Sequence, residues 1–301
     1  MRAVPPRQHT LCLAIVCLTT AAGCAIDLNG WNAMLLWPFP PPEETPADVG
    51  LEYEDLRIAT ADGKKLAAWF VPAQGGSAAR ATFVVHPGMA GNIGLYYATL
   101  LPWAAEEEFN IFIYDYQGFG ASEGDPDYRN FEADAHAVVD YLLSRPEPSA
   151  HAIIHLGGSL GSIVALSTTA HYPDSTIGLV VYGGFFPEQL IGPWLGTYVS
   201  PLLGPMGDLA GLSWAGSIPD FMNPHLAIPH IKAPILVVVP ENDTFVLPEI
   251  QINLFDALPE PKELYLSSAP HSPWAIEEDP DMGRAILQWA RQLEDLLPAE
   301  P

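Results

Sequence analysis

Gly157-Gly158-Ser159-Leu160-Gly161 is the stretch whose reading decides the fold. It stands between an apolar run, Ala152 to Leu156 (AIIHL), and a run of small residues, Ser162 to Ala170 (SIVALSTTA). The first has the length and composition of a buried strand, the second those of a helix. A G-x-S-x-G string at a strand-to-helix turn has a mechanical meaning. A serine held on a sharp turn needs neighbours without side chains, so that the backbone can fold back and the following helix can pack closely. The helix N-terminus then lies beside the serine with free N–H groups. The bare string is weak evidence, because Gly and Ser are common in loops, and the remaining chain has to decide.

The 301 residues are 49% hydrophobic, enough for one large domain core. The 25 glycines and 31 prolines fall between apolar runs, where they read as turns. Twelve Lys and Arg stand against 36 Asp and Glu, a net charge of −24. Such a surface repels phosphate backbones, which excludes nucleic acid as a partner. The oligomeric state has no signature in the sequence.

Beyond Leu51 the pattern becomes regular. Glu52 to Ala59, a turn at Asp62-Gly63, and Leu66 to Val71 read as a β-hairpin. Five apolar runs of strand length follow: Ala81 to Val85, Phe109 to Tyr114, Ala152 to Leu156, Ile177 to Tyr182 and Ile235 to Val239. Leu264 to Ser267 is a weaker sixth. Continuous rather than alternating apolar runs suit strands covered on both faces of a parallel sheet. Helical stretches lie between them, over Leu95–Glu106, Asn130–Leu143, Ser159–Ala170, Leu247–Ala257 and Gly283–Leu297. The alternation predicts an α/β class, a doubly wound, mostly parallel sheet of about eight strands, with its chemistry at the carboxyl ends of the strands. The segment from about 185 to 229 is too long for a simple crossover. Its Phe185, Phe186, Trp194, Tyr198, Trp214 and Phe221 predict a lid with an apolar entrance.

A serine hydroxyl needs a base, and the base needs an orienting group. Asp243 follows the run ending at Val239, with Glu241 as the alternative acid. Of nine histidines, His271 alone lies downstream of both the serine and the acid, just past the run ending at Ser267. An oxyanion hole requires two backbone N–H groups. Leu160 supplies one, as the residue after the nucleophile. The glycine-bearing loop His86-Pro87-Gly88-Met89-Ala90-Gly91-Asn92 supplies the other, with Met89 as the candidate donor. No His/Cys/carboxylate cluster has metal-ligand spacing, so neither a metal nor another cofactor is expected.

The residues now quoted resemble the α/β-hydrolase superfamily, in the branch of serine-aminopeptidase-like and membrane-associated acyl hydrolases. Asp115-Tyr116-Gln117-Gly118-Phe119-Gly120-Ala121-Ser122-Glu123-Gly124 is similar to that branch's D-Y-R-G-Y-G-x-S-x-G, with Gln117 in place of Arg. The loop P-G-M-A-G-N resembles H-G-N-A-G-N, and the elbow resembles G-x-S-L-G-G with Ser162 for the last Gly. The resemblance covers about residues 45 to 297. It implies Ser159 as nucleophile, Asp243 as orienter, His271 as base and acid, and the Met89 and Leu160 amides as oxyanion donors. The implied activity is hydrolysis of an ester, thioester or related acyl bond in a small-molecule or lipid-like substrate. Amide hydrolysis of the aminopeptidase kind and a non-catalytic binding role are the alternatives.

The N-terminus bears on compartment. Arg2 and Arg7 precede a 13-residue apolar stretch, Thr10 to Ala22, which ends in Ala21-Ala22-Gly23-Cys24. This is signal-peptide architecture, and the ending resembles a bacterial lipobox, in which Cys24 is lipidated and becomes the first mature residue. A plain secretory signal or a buried apolar helix is the alternative. Cys12, Cys17 and Cys24 are the only cysteines, so none remains for a disulfide in the domain. Residues 1–23 are thus expected as signal, 24–50 as a Pro-rich tether and 51–301 as the domain. The tether is expected either to extend or to lie back on the domain. The expected location is the bacterial cell envelope, with a membrane as partner through the lipid, and the outer membrane favoured because Ala25 rather than Asp follows Cys24.

Overall fold

In the computed structural model the described residues are 36–74, 79–95, 109–190, 219–271 and 278–293. Two short extended segments, β1 (Trp37–Pro38) and β5 (Ala90–Gly91), pair in parallel. The hairpin is formed by β2 (Glu54–Ala59) and β3 (Lys65–Val71). Then come β4 (Ala81–His86), β6 (Phe109–Tyr114), β7 (Ile153–Gly158), β8 (Thr176–Tyr182), β9 (Ile235–Pro240) and β10 (Lys262–Ser267). These eight make one sheet in the order β10-β9-β8-β7-β4-β6-β3-β2. Only the pairs β2/β3 and β3/β6 are antiparallel. This is the α/β architecture expected from the apolar runs. The weak signal of β10 has a plain cause. It is an edge strand with Leu264 and Leu266 exposed, so it carries no continuous apolar run.

Five α-helices lie wholly within the described residues: α1 (Phe131–Leu143), α2 (Leu160–His171), α3 (Pro224–Ala227), α4 (Pro248–Ala257) and α5 (Pro280–Arg291), and helical turns also begin at 93–95 and 187–190. Helix α5 starts three residues before the expected Gly283. Asp279 caps it by accepting from the Met282 N–H, and Pro280 occupies the first turn, where a missing N–H costs nothing. Of the helix expected over Leu95–Glu106, only Leu95 falls within the described residues.

Alternation along the central strands sends side chains to two faces. Val84, Phe112, Tyr114 and Ile153 pack with Phe131, Val138 and Leu142 of α1 and Ile163 and Val164 of α2. Their neighbours Phe83, Val85, Ile111, Ile113 and Ile154 pack with Ile286, Leu287 and Trp289 of α5. Both faces of the sheet are therefore covered, as its parallel centre requires. No helix of the described residues is long and apolar enough to cross a membrane.

Two expected segments are only partly described. Of the stretch from about 185 to 229, residues 191–218, with Trp194, Tyr198 and Trp214, lie outside the described residues. The flanking Phe185, Phe186 and Phe221 are 5%, 2% and 8% exposed. They belong to the core clusters of the described residues. The N-terminal signal and Cys24 also lie outside the described residues. From Leu36 onward the Pro-rich segment lies on the domain, with Leu36 buried in the core shared by α1 and α2.

Candidate active site

Ladder register fixes which loops meet. Gly158 of β7 stands beside Tyr182 of β8, Tyr182 beside Val238 of β9, and Val238 beside Tyr265 of β10. His86 of β4 stands beside Gly157. The loops that begin at Pro87, Ser159, Gly183, Glu241 and Ser268 therefore leave the same carboxyl edge of the sheet.

Ser159 follows β7 directly and caps α2, with φ 54° and ψ −124°. It is the only non-glycine residue with positive φ among the described residues. The turn is held at several points. The Ser159 N–H donates to the Tyr182 carbonyl (2.8 Å), and the Ser159 carbonyl accepts from the Ser162 N–H (2.9 Å) and Oγ (2.6 Å). Ser162, which replaces the glycine of the resembling pattern, thus serves as a clasp. The glycines are required by contact. A Cβ on Gly157 would lie 2.2 Å from the Gly161 carbonyl oxygen, and one on Gly161 would lie 2.1 Å from the His86 carbonyl oxygen. Either would push α2 away from β7 or from the loop after β4.

Asp243 is 3% exposed and all its acceptor capacity is engaged. Oδ1 accepts from the Phe245 and Val246 N–H groups (2.8 Å each), and Oδ2 from Gln251 Nε2 (3.0 Å) and His271 Nδ1 (2.7 Å). A carboxylate is acceptor-only, so Nδ1 carries the hydrogen and Nε2 is left as the basic nitrogen. The alternative acid, Glu241, is exposed and does not make this bond. A Cβ placed on Gly183 would lie 3.4 Å from His271 Nδ1 and 3.8 Å from Asp243 Oδ2. Gly183 adjoins Tyr182, whose carbonyl holds the Ser159 amide. Ser159, Asp243 and His271 thus lie at the carboxyl ends of β7, β9 and β10, with Gly183 at the end of β8 between them. Among the described residues Ser159 Oγ makes no hydrogen bond, and such bonds commonly tighten only when substrate is present.

Gln251 was not singled out by the sequence. It is fully buried on α4, and its Nε2 donates both to Asp243 Oδ2 and to the Val246 carbonyl (2.6 Å). Its position eight residues after the acid, on the helix leaving that loop, was the available signal. Phe245 was missed too; its ring lies 5.3 Å from that of His271 and covers one side of it.

Leu160 is the first residue of α2, so its N–H is among those without an intrahelical partner. Met89 is half-buried in the loop after β4, where its carbonyl accepts from the Trp37 N–H (3.0 Å). The Asp115–Gly124 stretch supports this loop from below. Asp115 Oδ1 accepts from the Ile93 N–H (2.7 Å), and Tyr116 Oη donates to the Pro87 carbonyl (3.2 Å). Gln117 donates through its N–H and its Nε2 to buried Asp134 (2.9 Å each). Burial pushes the Asp115 carboxyl up to about 7, against the opposing pull of the Ile93 amide, and pushes Asp134 up to about 6. His86 and His155 are buried and bonded to each other (2.9 Å), and burial lowers both, His155 to about 3. They are neutral structural groups. Among the described residues no group of three His, Cys, Asp or Glu side chains is placed to hold a metal.

Comparison with known proteins bears on the fold. Residues 77–217 match the family described as "Serine aminopeptidase, S33". The chain is 29% identical over 160 residues to the uncharacterized membrane protein YNL320W of Saccharomyces cerevisiae, covering 53% of this chain and 54% of that protein. It is 33% identical over 144 residues to the alpha/beta hydrolase domain-containing protein WAV2 of Arabidopsis thaliana, covering 47% and 46%. The matches thus span about half the length of these relatives. Among solved structures, the Pyrococcus furiosus esterase Pf2001 superposes with a TM-score of 0.68 at 20% identity, over 86% of this chain and 97% of that one. Sheet order, elbow and structural likeness together make this an α/β-hydrolase fold.

Proposed function

We propose that this chain is a serine hydrolase that cleaves a carboxylic ester, thioester or related acyl bond through an acyl-enzyme on Ser159. The observation that carries the reading is the 2.7 Å bond from His271 Nδ1 to buried Asp243, at the same sheet edge as a backbone-strained serine. Asp243 fixes the ring and its tautomer, so Nε2 takes the Ser159 Oγ proton as Oγ attacks the acyl carbon. The charge on the tetrahedral oxygen is received by the Met89 and Leu160 N–H groups. His271 then returns the proton to the leaving group, and water repeats the cycle to release the acid and free Ser159. The fold likeness to an esterase and the family match over 77–217 support hydrolysis. That same match favours a second reading, hydrolysis of an aminoacyl amide by the same residues. Parallel assays with aryl esters and aminoacyl anilides separate the two.

The testing variant is Ser159→Ala. Wild type is expected to turn over a short-chain aryl ester and to label with a fluorophosphonate, and the variant to lose at least a thousandfold in kcat and all labelling. Turnover that survives the change defeats the mechanism. A wild type that neither labels nor turns over ester or amide is a binding protein on a hydrolase fold.

We further propose that Cys24 is acylated and holds the domain at a bacterial envelope membrane. The apolar stretch ending in Ala21-Ala22-Gly23-Cys24 is its support. Metabolic labelling with a palmitate analogue is expected to mark the chain and to be lost in Cys24→Ala. Equal labelling of the two removes the proposal.

A further inference from the structure

The segment from Leu36 to Pro42 touches every part of the wall that carries Met89. Trp37 N–H donates to the Met89 carbonyl and Phe39 N–H to the Gly91 carbonyl, both at 3.0 Å. Asn92 Nδ2 donates to the Pro40 carbonyl (2.5 Å), and the Gly120 N–H donates to the Phe39 carbonyl (3.1 Å). A Cβ on Gly94 would lie 2.5 Å from Pro42 Cβ, so the segment runs closely over the start of the following helical turn. One end is pinned by Leu36 in the core. The Phe39 side chain is 39% exposed. Residues 89–91 belong to no other sheet among the described residues, and β1 is the partner of β5.

We propose that residues 36–42 form a positioning strap for the hydrolytic site, which sets the main-chain geometry of the Met89 loop and so the oxyanion donor. The proposal rests on the serine-hydrolase reading above. Its physical basis is that an oxyanion hole works through preorganisation, and displacement of a donor by a fraction of an ångström weakens it most in the transition state. Holding the Met89 carbonyl fixes the main chain on one side of the donor. The Tyr116 bond to the Pro87 carbonyl fixes it on the other. Because the strap's bonds are to the main chain of the loop that carries the donor, its loss is expected to act on kcat and to leave KM nearly unchanged.

Proline removes an N–H where alanine keeps it. In the full chain, Trp37→Pro and Phe39→Pro each delete one bond to the loop, while Phe39→Ala keeps both and removes only an exposed side chain. Each proline variant is expected to lose at least tenfold in kcat toward a short-chain aryl ester, with KM within about threefold of wild type. The alanine variant is expected to stay within about threefold in both. Amide hydrogen exchange is the second readout. It should quicken over 87–95 in the proline variants and stay unchanged over β6 and β7, which also establishes that the sheet is folded. Unchanged exchange over 87–95, or equal kcat losses in proline and alanine variants, overturns the proposal. So does faster exchange over 87–95 with wild-type kcat. A wild type that is inert to ester, amide and fluorophosphonate sinks the serine-hydrolase reading instead, and with it any catalytic role for the strap. The exchange data then still decide whether the strap orders the loop.

Discussion

Ser159 sits at φ 54° with a side chain that disfavours that region. Such a residue costs about 1–3 kcal/mol, and the surrounding bonds to Tyr182 and Ser162 keep it there. Glycine would relieve the strain while adding about 0.5–1 kcal/mol of unfolded-state entropy. Ser159→Gly is therefore expected to be more stable than Ser159→Ala by roughly 1 kcal/mol, with both inactive. Urea denaturation of the two decides it. A Ser159→Ala variant at least as stable as the glycine variant means that the backbone there is not strained. Strain of this kind was readable from five letters, because G-x-S-x-G between a strand and a helix leaves few other conformations. The contacts that enforce it were less readable, since one comes from the Tyr182 carbonyl, which any residue would supply, and the other from Ser162, where the resembling pattern has Gly.

The Asp115–Gly124 loop and the loop after β4 form one unit, joined by Asp115 to Ile93 and by Tyr116 to Pro87. Its titration has a definite sign. Asp115 is raised by burial from 3.8 to about 7, so between those values the folded chain holds a proton that the unfolded chain releases. Its contribution favours folding most at the acid end, falls as pH rises through that window, and is flat above about 8. Asp115→Asn cannot titrate but keeps an oxygen for the Ile93 N–H. The stability of wild type relative to Asp115→Asn is expected to fall between pH 5 and pH 8 and then to level. Denaturant melts at four pH values measure this, and parallel curves contradict it. The sequence marked this loop by resemblance alone. Its work of holding the neighbouring loop depends on β6 lying beside β4, a long-range pairing that no local pattern encodes. The central strands were legible because burial on both faces makes them uniformly apolar. Edge strand β10 and the capped start of α5 were less so, because half-exposure and a cap residue carry weaker signals.

With the sheet covered on both faces, the loops that carry chemistry are confined to one rim, and the chain reaches that rim first through residues 36–42. The Pro-rich composition of this segment allowed either an extended tether or a docked one, because proline stiffens a chain without choosing its partner. Docking was decided by unpaired main-chain groups on the loop after β4, which are invisible in composition. The acidity of the chain, −24 overall, says nothing of these neutral contacts. It bears on what approaches the rim, and disfavours anionic substrates and anionic lipid surfaces. The bonds that Trp37 and Phe39 donate to the loop come from peptide groups, and the Phe39 side chain is half-exposed. The residue at position 39 can therefore drift through most of the alphabet, proline apart, without disturbing the fit. The family match begins at residue 77, well past the strap. A relative with a wholly different spelling over this stretch can keep the same fastening, so kinship at this point is to be sought by superposing backbones and not by aligning letters.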